Sequence, residues 1–264
     1  MAQEPDQPVT IEVGDGAAIP RRRDKGLVSA WRLSLFGSLA LMAYLLIFHP
    51  KPYRDIFAFV PDGILVTFEV TIASIAVAMV IGLFTGLGRI SQHRIVNLIA
   101  STYVEVIRGI PLLVQLFYIY YALARFVKIP DLMAAVIAMS FCYGAYMGEV
   151  FRAGIESIDR GQTEASLSLG FNRTQTMFYV ILPQAWRTIL PPVGNEFIAL
   201  LKDTSLVSIL AVADLLRRGR EYASTTFEYF ETYTMVAIIY LVITLILSKL
   251  VSLMEERLGR YERR

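Results

Sequence analysis

One cysteine, Cys142, stands in 264 residues, inside an apolar run, so neither an intrachain disulfide framework nor a thiolate metal site is available. Histidine is nearly as scarce. His49 and His93 lie at the ends of apolar runs in different loops, where they read as interfacial or solvated residues rather than catalytic bases. No H-E-x-x-H and no G-x-x-x-x-G-K-S/T occurs, which removes zincin-type hydrolysis and a Walker nucleotide cradle. Charged residues make up only 18%, with a net charge of +2, and the basic ones lie between apolar runs instead of in one patch, which argues against nucleic acid. The first apolar run starts after about 30 residues with no small-residue cleavage signature behind it, which argues against a cleavable signal.

What the chain has in excess is apolar length. Its 55% hydrophobic composition and mean hydropathy of +0.53 exceed the roughly 45–50% apolar content of soluble domains. These residues are pooled in runs close to the ~20 residues that cross a bilayer as helix, so the expected class is an all-α integral membrane protein.

Residues 1–30 carry prolines, glycines, acids and the cluster Arg21, Arg22, Arg23 and Lys25, the composition of a tail that cannot bury a core. Residues 31–60 hold a first span, Leu33 to Phe48, and an outer loop; residues 61–254 form the main membrane domain, and a basic tail, 255–264, closes the chain. Within the domain, Gly63 to Gly88 is the clearest span, with Gly82, Gly86 and Gly88 offering a small-residue edge for helix contact. Residues 94–108 are amphipathic and suit an interface or a protein contact. Gly109 and Pro111 interrupt them, and Pro111 to Ala124 makes a third span. Leu132 to Val150 and Tyr233 to Met254 are further spans, and so is Ile189 to Ala213, with Pro191 and Pro192 in its first turn. Six spans put both termini on one side, which carries about 14 Lys and Arg against about 7 opposite, so the positive-inside bias makes the termini and the polar loop 152–188 cytoplasmic.

In that loop a short helical pattern from Glu164 ends at Gly170, suited to a left-handed C-terminal turn. A second, capped by Asn172 or Thr174, is cut at Leu182-Pro183. Two short amphipathic helices in the cytosol fit a docking element for a partner, or equally a loop packed on its own bundle.

The spacing Glu164-Ala165-Ser166, Gly170, Val180-Ile181-Leu182-Pro183 resembles the EAA loop of ABC-importer membrane subunits, with Ser166 for the second alanine and Val180 for isoleucine. The stretches RGIPLLVQ (108–115), YMGEVFRAGIESI (146–158) and NEFIALLKDTSL (195–206) resemble the subfamily that takes up polar amino acids: histidine, glutamine, glutamate, arginine and opines. The resemblance covers residue 60 to the end. It implies a type I ABC importer (MetI-like) transmembrane fold, a five-helix core to which this chain adds one N-terminal helix, in a bacterial inner membrane. It also implies a second permease subunit, identical or related, two ATPase subunits holding ATP and Mg, and an extracytoplasmic solute-binding protein. No catalytic residue, metal or cofactor is expected on this chain itself.

By that resemblance Glu164, Ala165, Ser166, Gly170, Val180, Leu182 and Pro183 couple the bundle to the ATPases, with Glu164 as a polar anchor or as a cap of its own helix. Ionisable residues at membrane depth are costly and so mark function by default. Asn195 and Lys202, and Glu196 and Asp203, share helix faces and are candidates for the substrate pathway, with Thr204 and Ser205 beside them. Charge compensation with neighbouring helices is the other reading of Lys202 and Asp203. Asp214 either meets a substrate cation or neutralises Arg217 or Arg218. Helix N–H groups near Pro111, Leu112 and Leu113 suit an α-carboxylate, Gln115 and Tyr118 are weaker pathway positions, and Glu105 with Arg108 makes a structural ion pair. A stand-alone secondary transporter or channel is the alternative function, though no inverted repeat is visible. A receptor or scaffold would leave Lys202 and Asp203 as an unexplained cost.

Overall fold

The computed structural model describes residues 29–126 and 129–259. Most of the predicted N-terminal tail, Lys128 and the final basic residues Arg260, Arg263 and Arg264 lie outside them. Every regular element among the described residues is helical: α1 Ala30–Phe48, α2 Pro50–Phe59, α3 Asp62–Arg89, α4 Arg94–Gly109, α5 Leu112–Phe126, α6 Asp131–Glu156, α7 Arg160–Ser168, α8 Arg173–Gln175, α9 Leu182–Asp203, α10 Leu215–Thr226 and α11 Tyr229–Gly259. A π-helical turn, Thr176–Ile181, joins α8 to α9, and a 3₁₀ segment, Thr204–Leu210, follows α9.

Helices α3 and α6 form the centre of the bundle because small residues let their backbones meet. A Cβ at Gly82 would lie 2.2 Å from Met147 Cβ, and one at Gly86 2.7 Å from Phe151 Cβ, while Gly144 and Gly148 of α6 face Ile81 and Thr85 in return. The predicted glycine edge of α3 is thus used, and Gly88 extends it to Ala100 of α4. Around this pair Val70, Ala78, Leu116, Met139, Met147, Phe151, Ile189 and Leu200 build the main core from α3, α5, α6 and α9.

A second core holds the N-terminal elements in place. Tyr53, Ile56 and Val60 pack on Leu215, Met235, Val236 and Ile239, with Met42, Leu45 and Leu46 of α1 against them. Trp31 Nε1 donates to the Leu245 carbonyl at 2.8 Å, and Lys249 Nζ lies 5.8 Å from the Trp31 ring, so α1 is docked along α11.

Among the described residues four helices, α1, α3, α6 and α11, are long and apolar enough to cross a membrane, and α4 with α5 makes a fifth if the pair, bent by 109°, is one span. Three sequence expectations change here. The predicted span Ile189 to Ala213 is instead α9, which begins at Leu182, ends at Asp203 and passes into the 3₁₀ segment before Ala211 at φ 66°. Leu182-Pro183 does not cut the chain, because a proline in the first helical turn has no intrahelical N–H to lose. Pro191 and Pro192 accordingly fall in the helix interior rather than its first turn. Asn195, Glu196, Lys202 and Asp203 explain why α9 is not among the helices apolar enough to cross by composition alone.

Asp214 is fully buried at the start of α10, where its carboxylate accepts from the backbone N–H groups of Arg217 at 3.0 Å and Leu216 at 3.2 Å, with the Tyr240 hydroxyl at 3.4 Å. It neutralises neither Arg217 nor Arg218, whose side chains pair with Glu221. Asp214→Ala is expected to cost about 1–2 kcal/mol through the lost cap, and Asp214→Asn, which keeps an acceptor, less than half of that. Thermal unfolding in detergent checks the order. Uptake that disappears in the asparagine variant while the midpoint holds would mark Asp214 as a substrate contact.

Candidate functional site

The loop between α6 and α9 is a compact hairpin. Asp159 caps α7 by accepting from Gly161 N at 2.7 Å, which places Glu164 in the interior of the helix and exposed, so it caps nothing. The helix ends in a left-handed glycine: Gly170 has φ +88°, Leu169 N donates to Ala165 O at 3.1 Å and Phe171 N to Ser166 O at 3.1 Å. Asn172 then caps α8 reciprocally with Gln175. The hydroxyls of Ser166 and Thr176 meet at 2.9 Å, both buried, and tie the two arms together. Ser166 therefore has a partner that an alanine there would lack.

Three further contacts fix the hairpin to the bundle. Arg173 donates to Gln92 in the turn between α3 and α4, and Gln184 Nε2 to Gln162 Oε1 at 3.1 Å. Val180 and Leu182 pack on the main core, whereas Ala165 and Pro183 are exposed. The hairpin carries bare apolar side chains: Leu169 and Phe171 at the turn, Leu167 on α7, and Phe178 and Tyr179 on the π-helical turn are all exposed, Leu169 by 79% and Tyr179 by 73%.

Beside the hairpin, the ends of α3, α4 and α6 are laced by charge. Arg89 and Arg152 both grip Glu149, Arg152 also holds Glu156, and Arg89 lies 3.9 Å from Glu105. The predicted Glu105–Arg108 pair is therefore not made. Arg108 turns the other way, its guanidinium 5.7 Å from the centre of the Tyr146 ring, because Arg89 already faces Glu105 from the neighbouring helix.

The pathway candidates separate into three groups. Glu196 is half-buried and lines a cavity of about 290 Å3 with Arg108, Tyr146, Glu149, Thr188 and Pro192, between α4, α6 and α9. Asn195 and Lys202 are exposed on one face of α9, while Asp203 accepts from the Tyr143 hydroxyl at 2.7 Å. Thr204 is fully buried, its hydroxyl donating to Leu201 O at 2.6 Å, and Ser205 is half-buried beside it. Gln115 is 5% exposed and serves the break before α5. Its Nε2 donates to the carbonyls of Ile107 and Ile110 at 2.6 Å, and Cys142 Sγ donates to its Oε1 at 2.9 Å. Those carbonyls end α4 without intrahelical donors, so Gln115 satisfies a helix terminus rather than facing the cavity. Pro111 is exposed at the break and Leu112, the first residue of α5, packs on the main core.

The model of the family described as the binding-protein-dependent transport system inner membrane component matches residues 78–260. The chain belongs to this family. It is 40% identical over 200 residues to the glutamine transport system permease protein of Escherichia coli strain K12, covering 75% of this chain and 91% of that protein. It is 43% identical over 201 residues to the L-cystine transport system permease protein of Bacillus subtilis strain 168, covering 75% and 86%. Among solved structures, one of an amino acid ABC transporter with histidines superposes with a TM-score of 0.72 at 43% identity, covering 80% of this chain and 97% of that one. The inward-facing MetNI methionine ABC transporter superposes with a TM-score of 0.64 at 21% identity, a likeness of fold: type I importer.

Sequence reasoning described the two arms and the glycine turn of the hairpin but did not single out Leu167, Leu169, Phe171 and Tyr179, the apolar side chains that the structure leaves exposed there. It also gave Arg108 a partner on its own helix, where the structure turns it to the cavity.

Proposed function

We propose that this chain is the membrane-spanning permease subunit of an ATP-driven importer that carries polar amino acids into the cytoplasm by alternating access. The observation that carries the reading is the fixed hairpin of α7 and α8 with its exposed apolar side chains, in a chain whose relatives are amino-acid permeases. Two ATPase subunits holding ATP and Mg receive the hairpins, a second permease subunit completes the pathway, and an extracytoplasmic solute-binding protein delivers substrate. Closure of the ATPases on ATP drives the hairpins as levers. Ser166–Thr176, Gly170 and the ties to Gln92 and Gln162 keep each lever from flexing, so movement reaches α6 and α9.

The chain is a multi-pass protein of the bacterial inner membrane. The excess of Lys and Arg on the hairpin side, about 14 against about 7, favours termini and hairpin in the cytoplasm. Chemistry on ATP belongs to the partners, and this chain contributes a path and a handle.

The test is ATPase stimulation in the reconstituted complex by glutamine, cystine, histidine, arginine and glutamate, each with a saturating binding protein. Stimulation by at least one is expected. A complex that hydrolyses ATP at one rate whichever solute is present would overturn the reading.

A further inference from the structure

The start of α1 carries a contact that apolar packing does not account for. Trp31 is bonded to Leu245 of α11, and Lys249, one turn further along that helix, holds its ammonium 5.8 Å from the centre of the same indole. Lys249 is half-buried inside the apolar stretch of α11, five residues before Met254, and among the described residues it makes no ion pair. No acid occurs in α1, and the nearest acids on α11, Glu255 and Glu256, lie roughly 9–10 Å further along the axis. The positive-inside bias accounts for basic loops but not for a lysine within an apolar run. An ammonium there is costly unless it reaches a counter-ion at headgroup level.

The docking of α1 also relates two basic segments from opposite ends of the sequence. Residues 21–32 and 249–264 hold ten Lys and Arg against four Asp and Glu, in a chain whose net charge is only +2. The first segment leads into α1, and the second begins at the lysine that faces Trp31. Basic clusters that adjoin a spanning helix attract anionic lipid, and basic sites between spanning helices hold its headgroups. Trp31 marks the level, since indole rings sit at the boundary between hydrocarbon and headgroups. Leu33 on α1 and Ile246 and Leu250 on α11 are exposed, which gives acyl chains apolar surface on both helices.

We infer that the junction of α1 and α11 binds an anionic phospholipid, its phosphate on the Lys249 ammonium beside Trp31 and its acyl chains along the exposed apolar side chains of the two helices. An ammonium is a compact cation with three donors, and the indole N–H is already given to Leu245, so Lys249 supplies the charge and Trp31 the wall. The excess of cations in the two adjoining segments favours an anionic over a zwitterionic headgroup. Lipid held there bridges α1 to α11. Because α1 lies ahead of residues 78–260, which match the family, this role is not carried over from it. The inference holds whichever solute the chain carries.

The test uses the full chain in a nonionic detergent. Dioleoylphosphatidylglycerol and dioleoylphosphatidylcholine, which share acyl chains and differ in headgroup charge, are added in turn, and bound lipid is counted by native mass spectrometry. The anionic lipid is expected to be retained roughly tenfold better or more, and Lys249→Gln should lower that preference about fivefold, the factor one basic residue near a membrane surface supplies. Replacing Arg21, Arg22, Arg23 and Lys25 together by Gln should lower it as well, whereas Lys51→Gln, beyond the other end of α1, should leave it unchanged. Monodisperse elution establishes that the variants are folded. Phosphatidylglycerol with a diazirine in its acyl chain, photolysed on the parent chain, should label peptides within 29–36 and 246–257, which decides the location even if the variants do not fold. Equal retention of the two lipids overturns the inference, as does a preference unchanged in both the Lys249 and the four-residue variant, or labelling confined to other helices. None of these outcomes bears on the import reading, which ATPase stimulation tests separately.

Discussion

Gly82→Leu is expected to prevent the bundle from assembling. At that position a Cβ alone would stand 2.2 Å from Met147 Cβ, 2.8 Å from the Met147 carbonyl carbon and 2.9 Å from Gly148 N. Two of those three atoms belong to the backbone of α6, so the conflict cannot be relieved by a rotamer change and the helices must separate. Overpacking a fitted core costs roughly 1–3 kcal/mol, and separating α3 from α6 also opens the main core around Met139, Met147 and Phe151. Gly82→Ala should already lower the unfolding midpoint in detergent, and the leucine variant should elute aggregated or be degraded in cells. Gly37 supplies the control. A Cβ there meets nothing within 4 Å, and replacing a helix-interior glycine by alanine is favourable by roughly 0.5–1 kcal/mol, so Gly37→Ala should fold as well as the parent. Equal behaviour of Gly82→Leu and Gly37→Ala would refute the close packing of α3 on α6.

The second large effect is expected on the exposed apolar side chains of the hairpin. Leu169→Asp together with Phe178→Asp places two charges on side chains that are 79% and 59% exposed in the isolated chain, so the fold of the permease should not change. In the assembled importer the same positions would sit against an ATPase. Truncation of buried interface anchors costs about 2 kcal/mol or more each, and a buried unpaired carboxylate adds to it. Co-purification of the ATPase should fall at least tenfold, and ATP-driven uptake with it, while the unfolding midpoint of the permease alone stays within a degree or two. Undiminished ATPase recovery would move the docking surface elsewhere.

How far the sequence disclosed this molecule varies with the kind of signal. Apolar length announced α1, α3, α6 and α11 without reference to any partner, because crossing lipid is a property of a segment taken alone. Helix α9 was harder to bound. A proline at Leu182-Pro183 ends a helix that arrives from before it but suits one that begins there, and only the preceding π-helical turn decides between them. The left-handed turn at Gly170 was legible because glycine is the residue that adopts it freely.

Contacts between distant segments were not legible. Glu105 and Arg108 have the spacing of a helical pair, yet Arg89 comes from another helix to face Glu105. Asp214 looked available to substrate, and its burial as a cap depends on α11 bringing Tyr240 beside it. Gln115 passed as a pathway residue because nothing local reveals that α4 ends with carbonyls in need of a donor.

The most direct measurement is uptake of a labelled amino acid into proteoliposomes that carry this chain, its ATPase partner and its binding protein, with ATP on the ATPase side. Accumulation above the external concentration that requires ATP and the ATPase subunit, and that is lost in Leu169→Asp/Phe178→Asp, is the predicted result. Uptake that proceeds equally with this chain alone, or without ATP, would contradict it.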